Sequence, residues 1–336
     1  MHGEPLVKPQ TYIQSLISRV ASLNKESSTK TLIVSCAPVL KDMIQTVAQL
    51  ELHESIDLLE ATDADMSGEN ILNVDSSINA VLIAATNPHT MNKIGKLCRG
   101  YQAADVPVVV IAGWPPPMTG QMFGAETTRS GNITVPGMFE LAALYSRGGN
   151  KGDFLEFGSF QGYTMQCAYH AFERISKNNT RRFISFDSFT GVIGTKKDES
   201  FYDGSYATSE TSFRFSNALA GIPDDRVTTV VGPFSVTLED DIEKTREKIG
   251  PTEAAIVHID CDVEAPAKLA LDFVTPYLKQ GSLLMFDEYD LHQADNTKGE
   301  RSALRRWLKE NPEFEVEPYR SYHSTARSFI VHKNNA

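Results

Sequence analysis

Acidic side chains follow two apolar runs of the sequence, at the positions where short strands would end. Asp260 and Asp262 flank Cys261 after the run AAIVHI, and the pair Asp287-Glu288 follows SLLMF. Adjacent parallel strands lie about 4.8 Å apart and end at the same edge of a sheet, so these carboxylates converge. Converging carboxylates repel one another unless a cation lies between them, and an all-oxygen set suits Mg²⁺, Mn²⁺ or Ca²⁺. The pattern predicts a divalent-metal site that uses Asp260, Asp287 and Glu288.

A glycine-containing turn is the second feature with chemical meaning. Glu156-x-Gly158-x-x-x-Gly162 follows the apolar run DFLEF and precedes a helical pattern. Glycines in such a turn allow the backbone to approach a ligand closely, although a plain strand-to-helix turn uses them too. The spacing is not the dinucleotide fingerprint G-x-G-x-x-G, and Ser159 directly after Gly158 does not form the nucleophile elbow G-x-S-x-G.

Asp187 ends the apolar run RFISFD, thirty-one residues after Glu156. A carboxylate at the end of a second strand is well placed to accept hydrogen bonds from ribose hydroxyls, although a turn or helix-capping aspartate takes the same place. The turn and the aspartate both follow strands, so they are expected at the same edge of one sheet, where a single ligand can contact both. They therefore favour a ligand that carries a ribose more strongly than either signal does alone.

The elements that must position these residues alternate between strands and helices. Residues 30–113 combine the strand patterns TLIVSC, IDLLEA, AVLIAA and VPVVVIAG with helical patterns, which predicts a small open α/β domain. Residues 114–120, WPPPMTG, cannot continue a helix or a central strand, so they mark a domain boundary. We predict one domain over residues 1–115 and a second over residues 116–336.

The second domain repeats the α/β alternation. Its predicted strands are DFLEFG, RFISFD, VTTVVG, AAIVHID, SLLMFD, EVEPYR and SFIVHK. Its predicted helices are VPGMFELAALYSR and residues 162–176, 209–220, 238–248, 265–278 and 301–310. Strands that alternate with helices predict a parallel sheet with helices on both faces, and hence the α/β fold class.

Composition limits the classes of function. The chain has 336 residues, 41% of them apolar and 22% charged, with a formal net charge of -11. A duplex nucleic-acid binder usually presents a basic face, and a membrane span needs an apolar run of about 20 residues, which the sequence lacks. The four cysteines form no C-x-x-C pair, so we predict reduced thiols without zinc. These features predict a cytoplasmic protein with no nucleic-acid or membrane partner.

Residues 127–310 resemble the macrocin O-methyltransferase family (TylF/MycF-like), within the class I S-adenosylmethionine-dependent methyltransferases. The resemblance rests, in order, on GDFLEFGSFQGYTM, FDSFTG, the DGSYATSETSF region, RVTTVVGPFSVTL, HIDCDVEAPAKLALDFVTPYLKQGSLLMFDEYD and ERSALRRWL. It implies a Rossmann-like seven-stranded sheet with an antiparallel last strand. The chain departs from the family's usual D-D-Y at Asp287-Glu288-Tyr289, and from its usual D-x-D-x-Y-E-S-T at residues 262–266.

The resemblance also implies site residues. The turn at Gly158 lies on the methionine side of S-adenosylmethionine, Asp187 holds the ribose, and residues 232–235 approach the adenine. The full set implied for the cofactor is Glu156, Gly158, Ser159, Gly162, Asp187, Ser188, Gly232, Phe234 and Asp260. For the cation, Mg²⁺ or else Mn²⁺ or Ca²⁺, the set is Asp260, Asp287 and Glu288, as the strand ends already suggest.

The reaction that we predict is methyl transfer to a hydroxyl of a small molecule, such as a sugar, a glycoside or a catechol-like natural product. Alignment of the acceptor oxygen supplies much of the acceleration, and a cation lowers the pKa of the hydroxyl. Asp262 and His292 are the candidate catalytic residues that remove its proton. Residues 200–213, SFYDGSYATSETSF, are a candidate lid over the acceptor.

Two alternative functions stay open at this point. Asp260-Cys261-Asp262 has the D-x-D form of a nucleotide-sugar glycosyltransferase, and the altered acceptor-side residues suit a non-catalytic sensor that binds S-adenosylmethionine. The first domain has a receiver-like layout, but Thr86-Asn87-Pro88 stands where a receiver needs its aspartate. Dimerisation, docking and a contribution to the acceptor pocket are the roles considered for it. A homo-oligomer is therefore among the expected states.

Overall fold

The computed structural model describes the larger part of the chain, namely residue 20 and residues 30–35, 56–60, 72–84, 98–110, 133–176, 179–192, 204 and 206–334. These residues divide into two compact units. The described residues of 1–124 and 208–221 form the first unit, and those of 125–207 and 222–336 form the second. The proline segment 114–120 lies outside the described residues, so the boundary between residues 115 and 116 stays a prediction.

The regular elements follow the predicted pattern closely. Within the described residues, the strands are β1 (Lys30–Ser35), β2 (Ile56–Glu60), β3 (Ile78–Ala84), β4 (Val108–Val110), β5 (Asp153–Phe157), β6 (Phe183–Asp187), β7 (Val227–Val231), β8 (Ala254–Ile259), β9 (Leu278–Phe286), β10 (Phe314–Tyr322) and β11 (Ala326–Lys333). The α-helices are α1 (Arg99–Ala103), α2 (Val135–Ser146), α3 (Tyr163–Ile175), α4 (Glu210–Leu219), α5 (Ile242–Ile249), α6 (Glu264–Val274) and α7 (Gly299–Glu310). Every strand predicted from an apolar run is present.

Two helices differ from their predicted extents. The helix predicted over residues 238–248 is divided into a π-helical turn, Val236–Asp240, and α5. The helix predicted over 265–278 ends at Val274, because Pro276 has no N–H with which to continue it. The apolar spacing of TYIQSLISRVASL (residues 11–23) and VLKDMIQTVAQL (residues 39–50) also predicts helices, and these ranges fall almost entirely outside the described residues. No helix of the described part has both the length and the hydropathy needed to cross a bilayer.

The first unit contains a four-stranded parallel sheet with the order β2-β1-β3-β4. Val34, Val81 and Ile83 form its buried core together with Tyr101 of α1. Apolar runs without polar alternation are typical of strands that are covered on both faces. The small open α/β domain predicted for this part of the sequence is therefore confirmed for its described residues.

The second unit contains a seven-stranded sheet with the order β10-β11-β9-β8-β5-β6-β7. β11 is antiparallel to both β9 and β10, and the remaining pairs are parallel. The tail patterns EVEPYR and SFIVHK supply β10 and β11, as predicted. The Rossmann-like class I methyltransferase sheet with an antiparallel last strand is therefore confirmed.

The strand order reverses at the centre of this sheet. From β5 the chain continues outward through β6 and β7, whereas β8 and β9 lie on the other side of β5. In open parallel sheets, ligands bind beyond the carboxyl ends of the strands at such a reversal. The sheet therefore directs a ligand to the ends of β5 and β8, next to Phe157 and Ile259.

Aromatic packing holds the central strand ends in place. Phe157 of β5 and Phe186 of β6 stack with their ring centroids 4.4 Å apart, and Phe273 of α6 packs edge-on against both. All three rings are fully buried. Burial of each ring is worth about 1.5–3 kcal/mol, so the edge that carries the site is rigidly supported by the core.

Candidate active site

Backbone hydrogen bonds continue between the strands of the second unit beyond their last residues. Gly232 donates its N–H to the carbonyl of Asp187 at 3.0 Å, and Gly158 donates to Phe186 at 2.9 Å. Asp260 donates to Phe157 at 2.8 Å, and Asp287 donates to Ile259 at 3.1 Å. The ends of β7, β6, β5, β8 and β9 thus form one continuous edge. Predicted site residues from five strands meet there.

The turn after β5 requires glycine. Gly158 has φ +86° and Gly162 has φ +82°, a backbone region that residues with a Cβ rarely adopt. A Cβ built on Gly158 would lie 1.8 Å from the backbone oxygen of Asp260. The turn therefore touches the end of β8, which joins the predicted cofactor turn to the predicted metal site.

Asp187 fixes the conformation of this turn. Its Oδ2 accepts the N–H groups of Ser159 at 2.8 Å and Phe160 at 2.9 Å, and its Oδ1 accepts that of Phe189 at 2.7 Å. Burial raises the pKa of Asp187, and these backbone donors lower it in part. A carboxylate has about four acceptor positions, so one remains for a hydroxyl of a ligand. Ser188 follows, and its hydroxyl donates to the carbonyl of Gly191 at 3.3 Å.

The end of β7 supplies an apolar surface beside Asp187. Phe234 packs edge-on against Phe157 with ring centroids 5.9 Å apart. Gly232 has φ +142°, and a Cβ there would lie 2.9 Å from the Thr237 side chain. The predicted adenine-side residues, Gly232 and Phe234, are thus next to the predicted ribose residue.

Glu156 lies one step inside the sheet edge and is fully buried. Its Oε1 accepts a short hydrogen bond from the Thr164 hydroxyl and lies 3.3 Å from Nδ1 of His258, which is also fully buried. Its Oε2 has no hydrogen-bond partner within the described residues. Glu156 therefore holds the start of the helix after the turn through Thr164, and its Oε2 can still accept a hydrogen bond.

Three carboxylates form an acidic group at the ends of β8 and β9. Asp260, Asp262 and Glu288 each offer an oxygen within 4.8 Å of the others. Asp287, which the sequence predicted as the third ligand, lies outside this group, and Asp262 takes its place. Asp262 reaches the group because its backbone is left-handed, with φ +62°.

The acidic group combines burial with mutual repulsion. Burial, together with the charges of Asp287 and Asp187, raises the pKa of Asp262 to about 7. Burial and the neighbouring carboxylates also raise the pKa values of Asp260 and Glu288 well above their usual range. No basic side chain of the described part forms an ion pair with these three residues. Oε2 of Glu288 is buried and has no hydrogen-bond partner among the described residues, which fits a site for a cation.

Glu300 is a site residue that the sequence did not identify. It is fully buried, and its two oxygens accept the N–H groups of Cys261 at 3.3 Å and Glu288 at 3.0 Å. An acidic residue in the first turn of a helix is common on protein surfaces, where it complements the helix dipole. The sequence GERSALRRWLKE of α7 therefore gave no sign that this glutamate is buried.

His292 lies in the turns after β9, with its ring against Gly299. A Cβ on Gly299 would lie 3.0 Å from Cδ2 of His292, and Nε2 of this histidine is buried without a hydrogen-bond partner. No contact within the described residues joins His292 to the acidic group. Its predicted role as a general base stays a prediction, as does that of Asp262.

Tyr206 is the described part of the predicted lid that approaches the acidic group. Its ring is 58% exposed and packs edge-on against Phe160, with centroids 5.8 Å apart. Burial of its hydroxyl raises the pKa of Tyr206, and the charges of Asp262 and Glu288 raise it further. Its hydroxyl is therefore within electrostatic reach of these carboxylates. Residues 200–203 and 205 lie outside the described part.

Residues 155–289 match the family Methyltransf_24, described as a methyltransferase domain. The matched range begins in β5 and ends just after β9, so it includes the turn, Asp187 and the acidic group. No curated protein matches the chain.

Solved structures with similar backbones include several methyltransferases. The calicheamicin methyltransferase CalS11 is 20% identical over 57% of this chain and 77% of its own, with a TM-score of 0.45. The O-methyltransferase NovP is 17% identical over 60% and 79%, with a TM-score of 0.47. An O-methyltransferase from Bacillus cereus in complex with SAH is 14% identical over 60% and 81%, with a TM-score of 0.41.

The family match and the strand order agree on the class of protein. The match covers the part of the chain whose strand ends form the continuous edge, and the seven-stranded sheet has the antiparallel strand that the resemblance implied. Residues 155–289 therefore match a methyltransferase domain, and the class I methyltransferase fold predicted for the second unit is confirmed.

Proposed function

We propose that the protein is an S-adenosylmethionine-dependent O-methyltransferase that acts on a hydroxyl of a small molecule, such as a sugar, a glycoside or a catechol-like natural product. One observation carries the proposal: the glycine turn after β5 touches the backbone of Asp260. A turn suited to a nucleoside ligand thus adjoins a buried acidic group suited to a cation. Methyl transfer to a cation-bound hydroxyl needs both sites side by side.

On the cofactor side, the chain's own residues bind and orient. Gly158 and Gly162 allow the backbone to approach the methionine part of the ligand. Asp187 accepts a hydrogen bond from a ribose hydroxyl at the acceptor position that its three backbone donors leave free. Phe234 offers an aromatic surface to the adenine beside Gly232.

On the acceptor side, Asp260, Asp262 and Glu288 would hold a divalent cation. Three oxygen donors with a buried, unpartnered Oε2 fit Mg²⁺ or Mn²⁺. When bound, the cation supplies a Lewis acid that lowers the pKa of the acceptor hydroxyl. Asp262 and His292 remain the predicted acceptors of the hydroxyl proton. Tyr206 lies beside the carboxylates, where we propose that it borders the acceptor.

We also propose the finer placement among relatives of the macrocin O-methyltransferases, supported by the residues from GDFLEFG to ERSALRRWL. The alternatives are less well supported. A glycosyltransferase would use Asp260-Cys261-Asp262 but has no use for the glycine turn held by Asp187. A sensor would not need three converging carboxylates beside the cofactor turn. A cytoplasmic location, a homo-oligomer and the role of the first domain stay predictions.

The proposal is tested by methyl transfer from radiolabelled S-adenosylmethionine to a panel of catechols, sugars and macrolide-like glycosides. We expect label in at least one hydroxylated acceptor with Mg²⁺ present. Chelation by EDTA should reduce the rate by about a hundredfold or more, since a Lewis acid at the acceptor is worth several kcal/mol, and added Mg²⁺ should restore it.

Two outcomes contradict parts of the proposal separately. Calorimetric binding of a nucleotide sugar, with no binding of S-adenosylmethionine, would support the glycosyltransferase instead. Full methyl transfer in EDTA would keep the methyltransferase but remove the cation from the mechanism.

A further inference from the structure

Glu300 joins the two loops that carry the acidic group. Its Oε1 accepts the N–H of Cys261 at 3.3 Å, and its Oε2 accepts the N–H of Glu288 at 3.0 Å. Cys261 stands between Asp260 and Asp262 in the sequence, and Glu288 is the third carboxylate of the group. One side chain of α7 thus connects the end of β8 with the end of β9.

The chemistry of this connection is specific to a carboxylate. Glu300 is fully buried, and it faces the charge of Asp287 as well as that of Asp262. Two backbone hydrogen bonds offset only part of the cost of burying such a charge, whereas an apolar side chain would leave the N–H groups of Cys261 and Glu288 without an acceptor. The two N–H donors need two acceptor oxygens. A glutamine has one oxygen and one NH₂ group, so it can accept only one of these hydrogen bonds in the same geometry.

We propose that Glu300 is a positioning residue that sets the spacing of Asp260, Asp262 and Glu288 for a divalent cation. The inference rests on the cation site of the proposed function and deepens it. Glu300 is not part of the group of carboxylates whose oxygens lie within 4.8 Å of one another, and its contacts are with the backbone N–H groups of Cys261 and Glu288. Outer partners of this kind typically change metal affinity 10–100-fold when they are replaced.

The test compares E300Q with wild type by titration with Mn²⁺, followed through the electron paramagnetic resonance signal of the free ion. We expect E300Q to bind Mn²⁺ at least about tenfold more weakly. Its affinity for S-adenosylmethionine, measured by calorimetry, should stay within about threefold of wild type, because Asp187 and not Glu300 holds the cofactor turn. E310Q is the matched control. Glu310 ends the same helix, is exposed and pairs with Lys268.

A spectroscopic signature separates positioning from general stability. The chain has four cysteines, so selective ¹⁵N-cysteine labelling gives a spectrum with four backbone amide resonances, one of which belongs to Cys261. The amide of Cys261 should shift in E300Q, where it loses a carboxylate acceptor, and should stay unchanged in E310Q. If E300Q does not fold, E300D keeps the charge but is one methylene shorter, and it should also weaken Mn²⁺ binding.

The possible failures are distinguishable. Wild-type Mn²⁺ affinity in folded E300Q, or in E300D where that variant is needed, overturns the role of Glu300 and leaves the proposed function intact. Absence of Mn²⁺ binding to the wild-type protein overturns the cation site and this inference together. The calorimetric titration with S-adenosylmethionine on the same samples then still reports on the methyltransferase itself.

Discussion

Asp260→Asn is expected to lower the turnover number by about a hundredfold or more while leaving the affinity for S-adenosylmethionine within about threefold of wild type. The substitution keeps the shape of the side chain but removes a charged oxygen from the group that Asp260 forms with Asp262 and Glu288. A loss of about 2.7 kcal/mol of transition-state stabilisation corresponds to a hundredfold, well within what a catalytic metal supplies. The backbone of Asp260, which contacts the glycine turn, is unchanged.

The same substitution should stabilise the metal-free protein. Burial and neighbouring charges raise the pKa of Asp260, so its ionised form opposes folding at neutral pH in the absence of a cation. In EDTA, the unfolding temperature of D260N should therefore exceed that of wild type by about 2–4 °C. This is the shift that a gain of about 1 kcal/mol in the free energy of unfolding produces in a domain of this size.

Steady-state kinetics, calorimetry and thermal unfolding check these expectations. D225N is the control, since Asp225 is an exposed acidic residue just before β7, at the opposite end of the strands. Wild-type turnover in D260N would contradict the cation site. An unfolding temperature in EDTA that falls below wild type would contradict the assignment of an uncompensated buried charge.

Gly158→Ala should weaken binding of S-adenosylmethionine by about a hundredfold or more. Alanine is strained at φ +86°, and its Cβ would lie 1.8 Å from the backbone oxygen of Asp260. Strain at a positive φ costs about 1–2 kcal/mol, and relief of the clash must displace backbone rather than a flexible side chain. The displaced turn no longer offers the surface that the cofactor needs.

Gly204→Ala is the matched control for this prediction. Gly204 has φ +84°, but a Cβ there meets no atom of the described residues within 4 Å. The pair thus separates the strain of a positive φ, which both variants share, from the contact with β8, which only G158A makes. Cofactor affinity is measured by calorimetry and folding by circular dichroism. Equal affinities for a folded G158A and for G204A would refute the role of the contact.

The fold was largely predictable because each strand of the central sheet is an uninterrupted apolar run of strand length. The positions of Gly158, Asp187 and Gly232 at the sheet edge were predictable for the same reason, because each comes directly after such a run. The domain assignment of α4 was not predictable. Its Ser212 accepts the N–H of Val108 at 2.9 Å in the first unit, a contact between residues far apart in the sequence.

The metal side was predicted only in part, because it depends on the directions of side chains. The charge of Asp287 acts on Asp260 and Asp262, but Asp287 offers no oxygen to the group whose members lie within 4.8 Å of one another, and the run SLLMFDEYD does not reveal this difference. The left-handed backbone conformation of Asp262 places this residue in the acidic group. The sequence Asp260-Cys261-Asp262 does not reveal such a conformation. Burial of Glu300 follows from the tertiary position of α7 alone.

The most direct test of the shared edge is the line width of the S-methyl proton resonance of S-adenosylmethionine bound to the protein. With Mn²⁺ in the acidic group, the unpaired electrons should broaden this resonance strongly, because the cofactor turn touches the end of β8. With Mg²⁺ in place of Mn²⁺, or with D260N, the resonance should stay sharp. A sharp resonance in wild-type protein that has bound both Mn²⁺ and S-adenosylmethionine would show that the two sites do not adjoin, and would contradict the account.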